Sequence, residues 1–143
     1  MTKSANERVA IEVLTFLAQM YDEAADFKRF LRTKFAMANE AWQEPTSYIF
    51  CRKIADGVNV HIWIEAFLKG EDSLTWEVDI NSQGEGWLID ARVCKVGESG
   101  TETIVQFPDL TVPDFATVQR EVPALLRRLC QAGVKVMTEE LSY

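Results

Sequence analysis

Little in this sequence could build a metal centre or a disulfide framework. Its 143 residues include three cysteines and one histidine. Cys51, Cys94 and Cys130 are odd in number and far apart with no CxxC pair, so neither a zinc ribbon nor a set of disulfides is indicated. Because His61 is the single histidine, sites built from several histidines of one chain are excluded. We therefore expect buried free thiols in a reducing cytoplasm, no metal and no cofactor.

Long apolar runs and an excess of positive charge are also missing. No apolar segment approaches the roughly 20 residues that cross a bilayer. The polar start, MTKSANERVA, has no apolar stretch before a small-residue cleavage site, so we expect no secretion. A net charge of −7 repels a phosphate backbone. The sequence thus predicts a soluble cytoplasmic protein with no membrane and no nucleic-acid partner, whereas a basic protein partner fits the charge.

Motifs for nucleotide binding and nucleophilic catalysis are absent as well. The sequence contains no GxxxxGK[ST], GxGxxG or GxSxG. The segment Gly84-Glu85-Gly86 is interpreted as part of a hairpin turn, where glycine serves backbone geometry. Nothing specifies a nucleophile together with its base and oxyanion donors. The sequence therefore favours a protein without enzymatic activity.

The apolar residues near the N-terminus recur at helical spacing. A chain of this length with 48% hydrophobic residues predicts one domain over residues 1–143. Within it, the spacing predicts one helix over 5–24, with Val9 in its buried stripe, and a second helix over 26–42. An unbroken helix of about 40 residues would be about 58 Å long, so we expect a break near residues 21–26.

The C-terminal part of the chain has the same helical spacing. Apolar residues predict a helix over 114–132, and Pro123 in its interior predicts a kink. Gly133 is expected just past the end of this helix, where the left-handed conformation suits glycine. Residues 134–143 are expected to fray or to add a short edge element, and residues 108–113, bounded by two prolines, are expected to form a loop.

The middle of the chain is rich in β-branched and aromatic residues and contains turn dipeptides. Asp56-Gly57 and Gln83-Gly84 are typical of two-residue hairpin turns. The predicted strands cover residues 47–55, 58–68, 74–81, 87–96 and 101–107. The predicted fold class is therefore α+β: two N-terminal helices, a five-stranded antiparallel meander, and a C-terminal helix kinked near a proline.

Alternation along these strands divides their side chains between two unlike faces. The predicted cross-strand pairs are Arg52 with His61, Phe50 with Trp63, Tyr48 with Glu65, Ile80 with Trp87, Val78 with Ile89, and Trp76 with Ala91. If Ile64 lies beside Val78, one face is continuously apolar and must be covered by helices. Whether helices also cover the second face is left open, because that face carries several aromatic residues.

The second face contains the candidate site residues. They are His61, Trp63, Glu65, Phe67, Glu77, Asp79, Asp90 and Arg92. Exposed aromatic residues beside carboxylates are typical of protein-binding surfaces, so we expect a non-catalytic binding module of the adaptor, chaperone-like or inhibitor type. The alternative is a small-molecule-binding protein or enzyme with a carboxylate-lined pocket between sheet and helices. A third interpretation is a symmetric homodimer through the aromatic side, and a solvated face without a ligand is the ordinary case for such sheets.

Overall fold

The computed structural model describes residues 4–38 and 42–141 as an α+β fold with an antiparallel sheet, which confirms the predicted class. Residues 39–41 of the predicted second helix lie outside the described residues, as do 1–3 and 142–143, and Trp42, its predicted last residue, is not helical. The elements, in chain order, are α1 (Ala5–Phe35), a short 3-10 turn (Ala36–Ala38), β1 (Thr46–Ile54), β2 (Gly57–Phe67), β3 (Ser73–Gln83), β4 (Gly86–Gly97), β5 (Gly100–Gln106), β6 (Leu110–Val112) and α2 (Phe115–Leu141).

The N-terminal region forms one long helix, so the predicted break near residues 21–26 is wrong. Ser4 caps α1 by accepting a hydrogen bond from the backbone N–H of Glu7 at 3.2 Å. Met20, Ala24 and Phe27 are buried and carry one apolar stripe straight across the expected break. No glycine or proline interrupts this stretch. Because packing continues along the stripe, nothing favours a break, and α1 reaches about 46 Å.

The first turns of α1 are not part of the core, contrary to the predicted role of Val9. That residue is 57% exposed, and the buried stripe begins at Phe16. The Phe16 ring packs edge-on against Phe115 at 5.4 Å, and Phe115 is the first residue of α2. The buried stripe of α1 therefore starts at Phe16, and the segment around Val9 stays exposed.

The C-terminal helix is longer than predicted. It starts after Asp114, whose carboxylate accepts hydrogen bonds from the backbone N–H and the hydroxyl of Thr117 at 2.8 and 2.6 Å. The expected end at Gly133 is wrong, as is the frayed end after it: α2 continues to Leu141, and Gly133 is buried inside it. Pro123 also lies within α2, and the kink expected there stays a prediction. The extension is favoured by the burial of apolar residues in the last turns.

The sheet is an antiparallel meander in the order β1-β2-β3-β4-β5, as predicted. A sixth strand was missed by the sequence analysis, which expected a loop there. Strand β6 pairs with the start of β4 through Trp87↔Val112, Leu88↔Thr111 and Ile89↔Leu110. A three-residue strand between two prolines is too short to produce an alternation signal.

Both predicted hairpin registers are shifted by two residues, and so is the register between β2 and β3, where Ile64 lies opposite Trp76 instead of Val78. The first turn uses Ala55 and Asp56, so Phe50 lies opposite His61 instead of Trp63. The second turn uses Gly84 and Glu85, with Gly84 at φ 60° in the first central position. Asp56 does not adopt the positive φ that a type I′ turn at Asp56-Gly57 would require. A shift of two preserves the side-chain faces, because alternation has a period of two.

Both helices cover the apolar face of the sheet. Ile62, Ile64, Val78 and Ile89 on this face are at most 1% exposed. Helix α1 lies along β1, and α2 packs across β3 and β4. Trp76 lies in the middle, edge-on to the Phe27 ring of α1 at 5.0 Å. Within residues 4–38 and 42–141, no helix lies over the second face.

Candidate functional site

Aromatic rings form a stacked row on the second face, across β1 and β2. Tyr48 lies opposite Trp63 and stacks on it with ring centres 4.6 Å apart, and Tyr48 also stacks on Phe50 at 5.3 Å. Tyr48 and Phe50 are 41% and 40% exposed. We call Tyr48, Phe50 and Trp63 the aromatic ladder. Because its rings hold one another in place, their exposed faces are preorganised for contact.

A group of charged side chains lies beside the ladder on β2, β3 and β4. We call His61, Glu77, Asp79, Asp90 and Arg92 the acidic cluster. Arg92 is at its centre, 2.6 Å from Asp90, 3.4 Å from Glu77 and 3.5 Å from Asp79. His61 joins the two groups, because its Nδ1 lies 2.8 Å from a carboxylate oxygen of Asp79 and its ring lies 5.1 Å from that of Phe50. The ladder and the cluster thus form one continuous surface.

Asp79 and Arg92 are both held in their charged forms. Burial alone would raise the pKa of Asp79, but hydrogen bonds from His61 and Asn59 and the charge of Arg92 together lower it. Burial likewise opposes the charge of Arg92, and the three neighbouring carboxylates outweigh it and raise its pKa. Asn59 is 1% exposed and also donates to Asn81 at 2.7 Å, which fixes its amide. The cluster is therefore a rigid ionic network.

The hydroxyl of Tyr48 remains uncharged and able to form hydrogen bonds. Burial raises the pKa of its hydroxyl, and the charges of Glu77 and Glu65 raise it further. The phenol therefore keeps its proton at neutral pH. The aromatic ladder offers a partner apolar ring faces and a hydroxyl without adding negative charge.

We expect the Asp79→Asn variant to be less sensitive to acid than the wild type. The folded-state pKa of Asp79 lies below the unfolded value of about 3.9. Charged Asp79 therefore stabilises the fold above that pH, and the contribution is lost as the pH falls through the folded pKa. Urea unfolding from about pH 5 downward should show a shallower decline in the free energy of unfolding for Asp79→Asn.

The control for this experiment is Asp22→Asn, which changes an exposed carboxylate on α1 away from the cluster. It should leave the wild-type pH dependence intact. Equal slopes for Asp79→Asn and the wild type would show that the network around Asp79 does not stabilise the charged carboxylate.

The remaining predicted site residues lie further along the same face. Glu65 accepts a hydrogen bond from the Ser73 hydroxyl at 2.7 Å, and Phe67 ends β2 opposite Ser73. The register thus places all eight predicted residues on one face; that they form a binding site stays a prediction. Sequence reasoning put Tyr48 and Phe50 on this face but omitted them from the site. The signal that could have included them is their alternation with buried Ile49.

The described residues hold no group of three or more histidine, cysteine or acidic side chains arranged to bind a metal ion. The three cysteines are free. Cys94 and Cys130 are buried as expected, but Cys51 is exposed, so the expectation of burial is wrong there. Cys51 lies on β1, at the edge of the sheet, where α1 does not cover the whole strand.

The carboxylates of the acidic cluster lie on the face opposite the helices. Asp90 borders a shallow groove of about 530 Å³ at the edge of this face, together with Gln106, whose amide donates to Asp90 at 2.6 Å.

In the described part of the chain, no helix is long and apolar enough to cross a membrane. Searches with this chain against protein-family models, curated proteins and solved structures find no match.

Proposed function

We propose that this chain is a non-catalytic protein-binding module that takes a basic partner on the second face of its sheet. The observation that carries the proposal is the exposed Tyr48 ring, stacked on the half-buried ring of Trp63 beside the acidic cluster, on a face that no described helix covers. Aromatic side chains that are rigid before binding are frequent anchors of protein interfaces, because they bury much area at little entropic cost.

The charge of the face selects the kind of partner. Among the predicted site residues, four carboxylates stand against one guanidinium, so the face has an excess of negative charge. Asp79 and Arg92 neutralise each other only in part, because Arg92 is shared with Glu77 and Asp90. A lysine or arginine from a partner could lie over the Tyr48 ring and near these carboxylates, gaining a cation–π contact and Coulomb attraction.

The proposal is better supported than its alternatives. An enzyme or small-molecule-binding protein of the kind we considered needs its carboxylates inside a pocket between sheet and helices, and here they point away from the helices. A symmetric homodimer centred on the acidic cluster would bring Glu77, Asp79 and Asp90 against the same residues of a second copy. Such like-charge contacts are unfavourable. A basic partner avoids this repulsion.

The test is selection of binding peptides followed by affinity measurement. A random peptide display library panned on the wild-type protein should yield peptides enriched in lysine, arginine and aromatic residues. Trp63→Ala and Tyr48→Ala should each weaken the selected peptides about tenfold or more, as expected for anchor residues. Glu77→Gln should weaken them less and should reduce the salt dependence of the affinity. Calorimetric titration measures each effect.

The matched control is Phe30→Ala, because Phe30 is an aromatic residue of similar exposure, 47%, on α1. This variant should bind the selected peptides like the wild type. Peptides whose affinity is unchanged by both Trp63→Ala and Glu65→Ala would contradict the proposal. Light scattering across a dilution series tests the homodimer separately, and we expect a constant mass.

A further inference from the structure

A groove runs between the two helices on the side of the molecule away from the acidic cluster. The helices run parallel, because contacts advance along both in the same direction: Gln119 donates to the carbonyl of Glu12, and Arg127 pairs with Glu23 further on. The groove lies beyond this ion pair, towards the ends of both helices, and has a volume of about 520 Å³. This size is typical of sites for small organic ligands.

The floor of the groove is apolar and partly aromatic. Phe27 and Leu126 are buried at its base, and Val134 closes it from α2. Phe30 stacks nearly parallel on Phe27 with ring centres 6.3 Å apart and remains 47% exposed. Cys130 also lines the groove, but burial raises the pKa of its thiol, so it acts as an apolar surface and not as a nucleophile.

The acidic side chains that line the groove are already neutralised. Glu23 pairs with Arg127 across the two helices. Asp26 pairs with Arg29 at 3.0 Å on α1. Neither carboxylate is therefore a strong attraction for a cationic ligand, although the protein as a whole carries a net charge of −7.

Unlike these carboxylates, the two lysines of the groove are not neutralised by an ion pair within the described residues. Lys34 and Lys135 line it from α1 and α2, and both are exposed. Within the described part of the chain, neither forms an ion pair with a carboxylate. Lys34 instead lies over the ring of Phe35, with its ammonium 5.8 Å from the ring centre. The groove thus combines an aromatic floor with two positive charges that have no carboxylate partner among the described residues.

We propose that this groove binds a small amphipathic anion, an organic molecule with an aromatic or branched apolar body and one carboxylate or sulfonate group. The apolar body would lie on Phe27, Phe30 and Val134, where it covers exposed hydrophobic surface. The acid group would lie between Lys34 and Lys135 and give both ammonium groups a counter-charge. This site is separate from the proposed protein-binding face, so either proposal can fail without the other.

The test uses two probes that differ in one charged group. The anion 8-anilinonaphthalene-1-sulfonate and the uncharged N-phenyl-1-naphthylamine share the same aromatic body, and both fluoresce more strongly in apolar sites. The wild type should bind the sulfonate saturably at one site under native conditions. The double variant Lys34→Gln/Lys135→Gln should bind it about tenfold more weakly and should bind the neutral probe within about twofold of the wild type. Phe30→Ala should weaken both probes.

A matched double variant separates the groove from general electrostatics. Lys53→Gln/Lys69→Gln removes the same charge from exposed positions on β1 and on the turn after β2, and it should bind both probes like the wild type. Lys34 also lies in the last turn of α1, where a cation stabilises the helix. That role alone would alter stability and leave probe affinity unchanged. Unchanged sulfonate affinity in the Lys34/Lys135 variant, or an equal loss in the Lys53/Lys69 variant, overturns the proposal.

Discussion

Replacing Gly133 with alanine is expected to destabilise the protein by about 3 kcal/mol, although alanine is the better helix former. A Cβ atom at this position of α2 would lie 2.1 Å from Nε1 and 2.5 Å from Cε2 of Trp76. The indole cannot move aside easily, because Trp76 is fully buried and packs against the Phe27 ring of α1. The overlap therefore has to be relieved by separating α2 from the sheet. Urea unfolding measures the loss.

A double-mutant cycle tests the cause. Trp76→Phe replaces the two-ring indole with one smaller ring and removes the indole nitrogen, which has no hydrogen-bond partner among the described residues. Adding Gly133→Ala to Trp76→Phe should cost clearly less than adding it to the wild type, by about 1 kcal/mol or more. Ala124→Gly is the matched control, because it exchanges the same two residues at an exposed position of α2 and should cost only about 1 kcal/mol. If the effects of Gly133→Ala and Trp76→Phe on the free energy of unfolding are additive, overlap between the two side chains is excluded as the cause.

The second large effect is expected from Arg92→Met, which should lower the free energy of unfolding by about 2 kcal/mol at pH 7. The side chain of Arg92 is 29% exposed, and those of Glu77 and Asp79 are each 16% exposed. Removing the guanidinium leaves three carboxylates close together with little water to separate their charges. The loss should shrink as the pH falls towards about 3, because Asp79, whose pKa is lowered in part by the charge of Arg92, then loses the charge that Arg92 stabilises. Denaturant titrations at the two pH values measure this difference.

The control is Arg127→Met, which breaks the ion pair with Glu23 on the helical side of the molecule. The side chain of Arg127 is 61% exposed, so water screens the pair and the expected loss is clearly smaller than that for Arg92→Met. Equal losses for the two variants, or a loss for Arg92→Met that does not depend on pH, would contradict the compensating role of Arg92 in the acidic cluster.

The sheet was predicted more reliably than the helices. Period-two alternation separated Ile62 and Ile64 from His61 and Trp63, and this division survived two errors in turn position. The division remained correct because each observed turn lies one residue away from its predicted position. Such a difference changes the hairpin register by two residues and leaves every side chain on its predicted face. The length of α1 was predicted wrongly, since a limit on helix length was inferred from domain size with no local signal for a break.

The sequence predicted which residues of the candidate site share one face of the sheet. It did not predict which of these residues contact one another. The sequence placed Asp79 and Arg92 on the same side without indicating that Arg92 contacts three carboxylates. The stacking of Tyr48 on Trp63 depends on the true register, because the predicted register put Tyr48 opposite Glu65. The role of Asn59 as a buried amide that holds Asp79 was also absent from the sequence analysis. These contacts join residues of different strands, and patterns among neighbouring residues of the sequence do not indicate them.

The sequence by itself determined the α+β class, the meander of strands and the division of the sheet into an apolar and a charged face. It could do so because alternation, helical spacing and turn residues act over a few neighbouring positions. Only the tertiary structure decided that α2 continues through Gly133, that both helices share one face, and that Lys34 and Lys135 line one groove without a carboxylate partner in the described part of the chain. Each of these depends on residues far apart in the chain, such as Gly133 and Trp76, whose contact is created by packing.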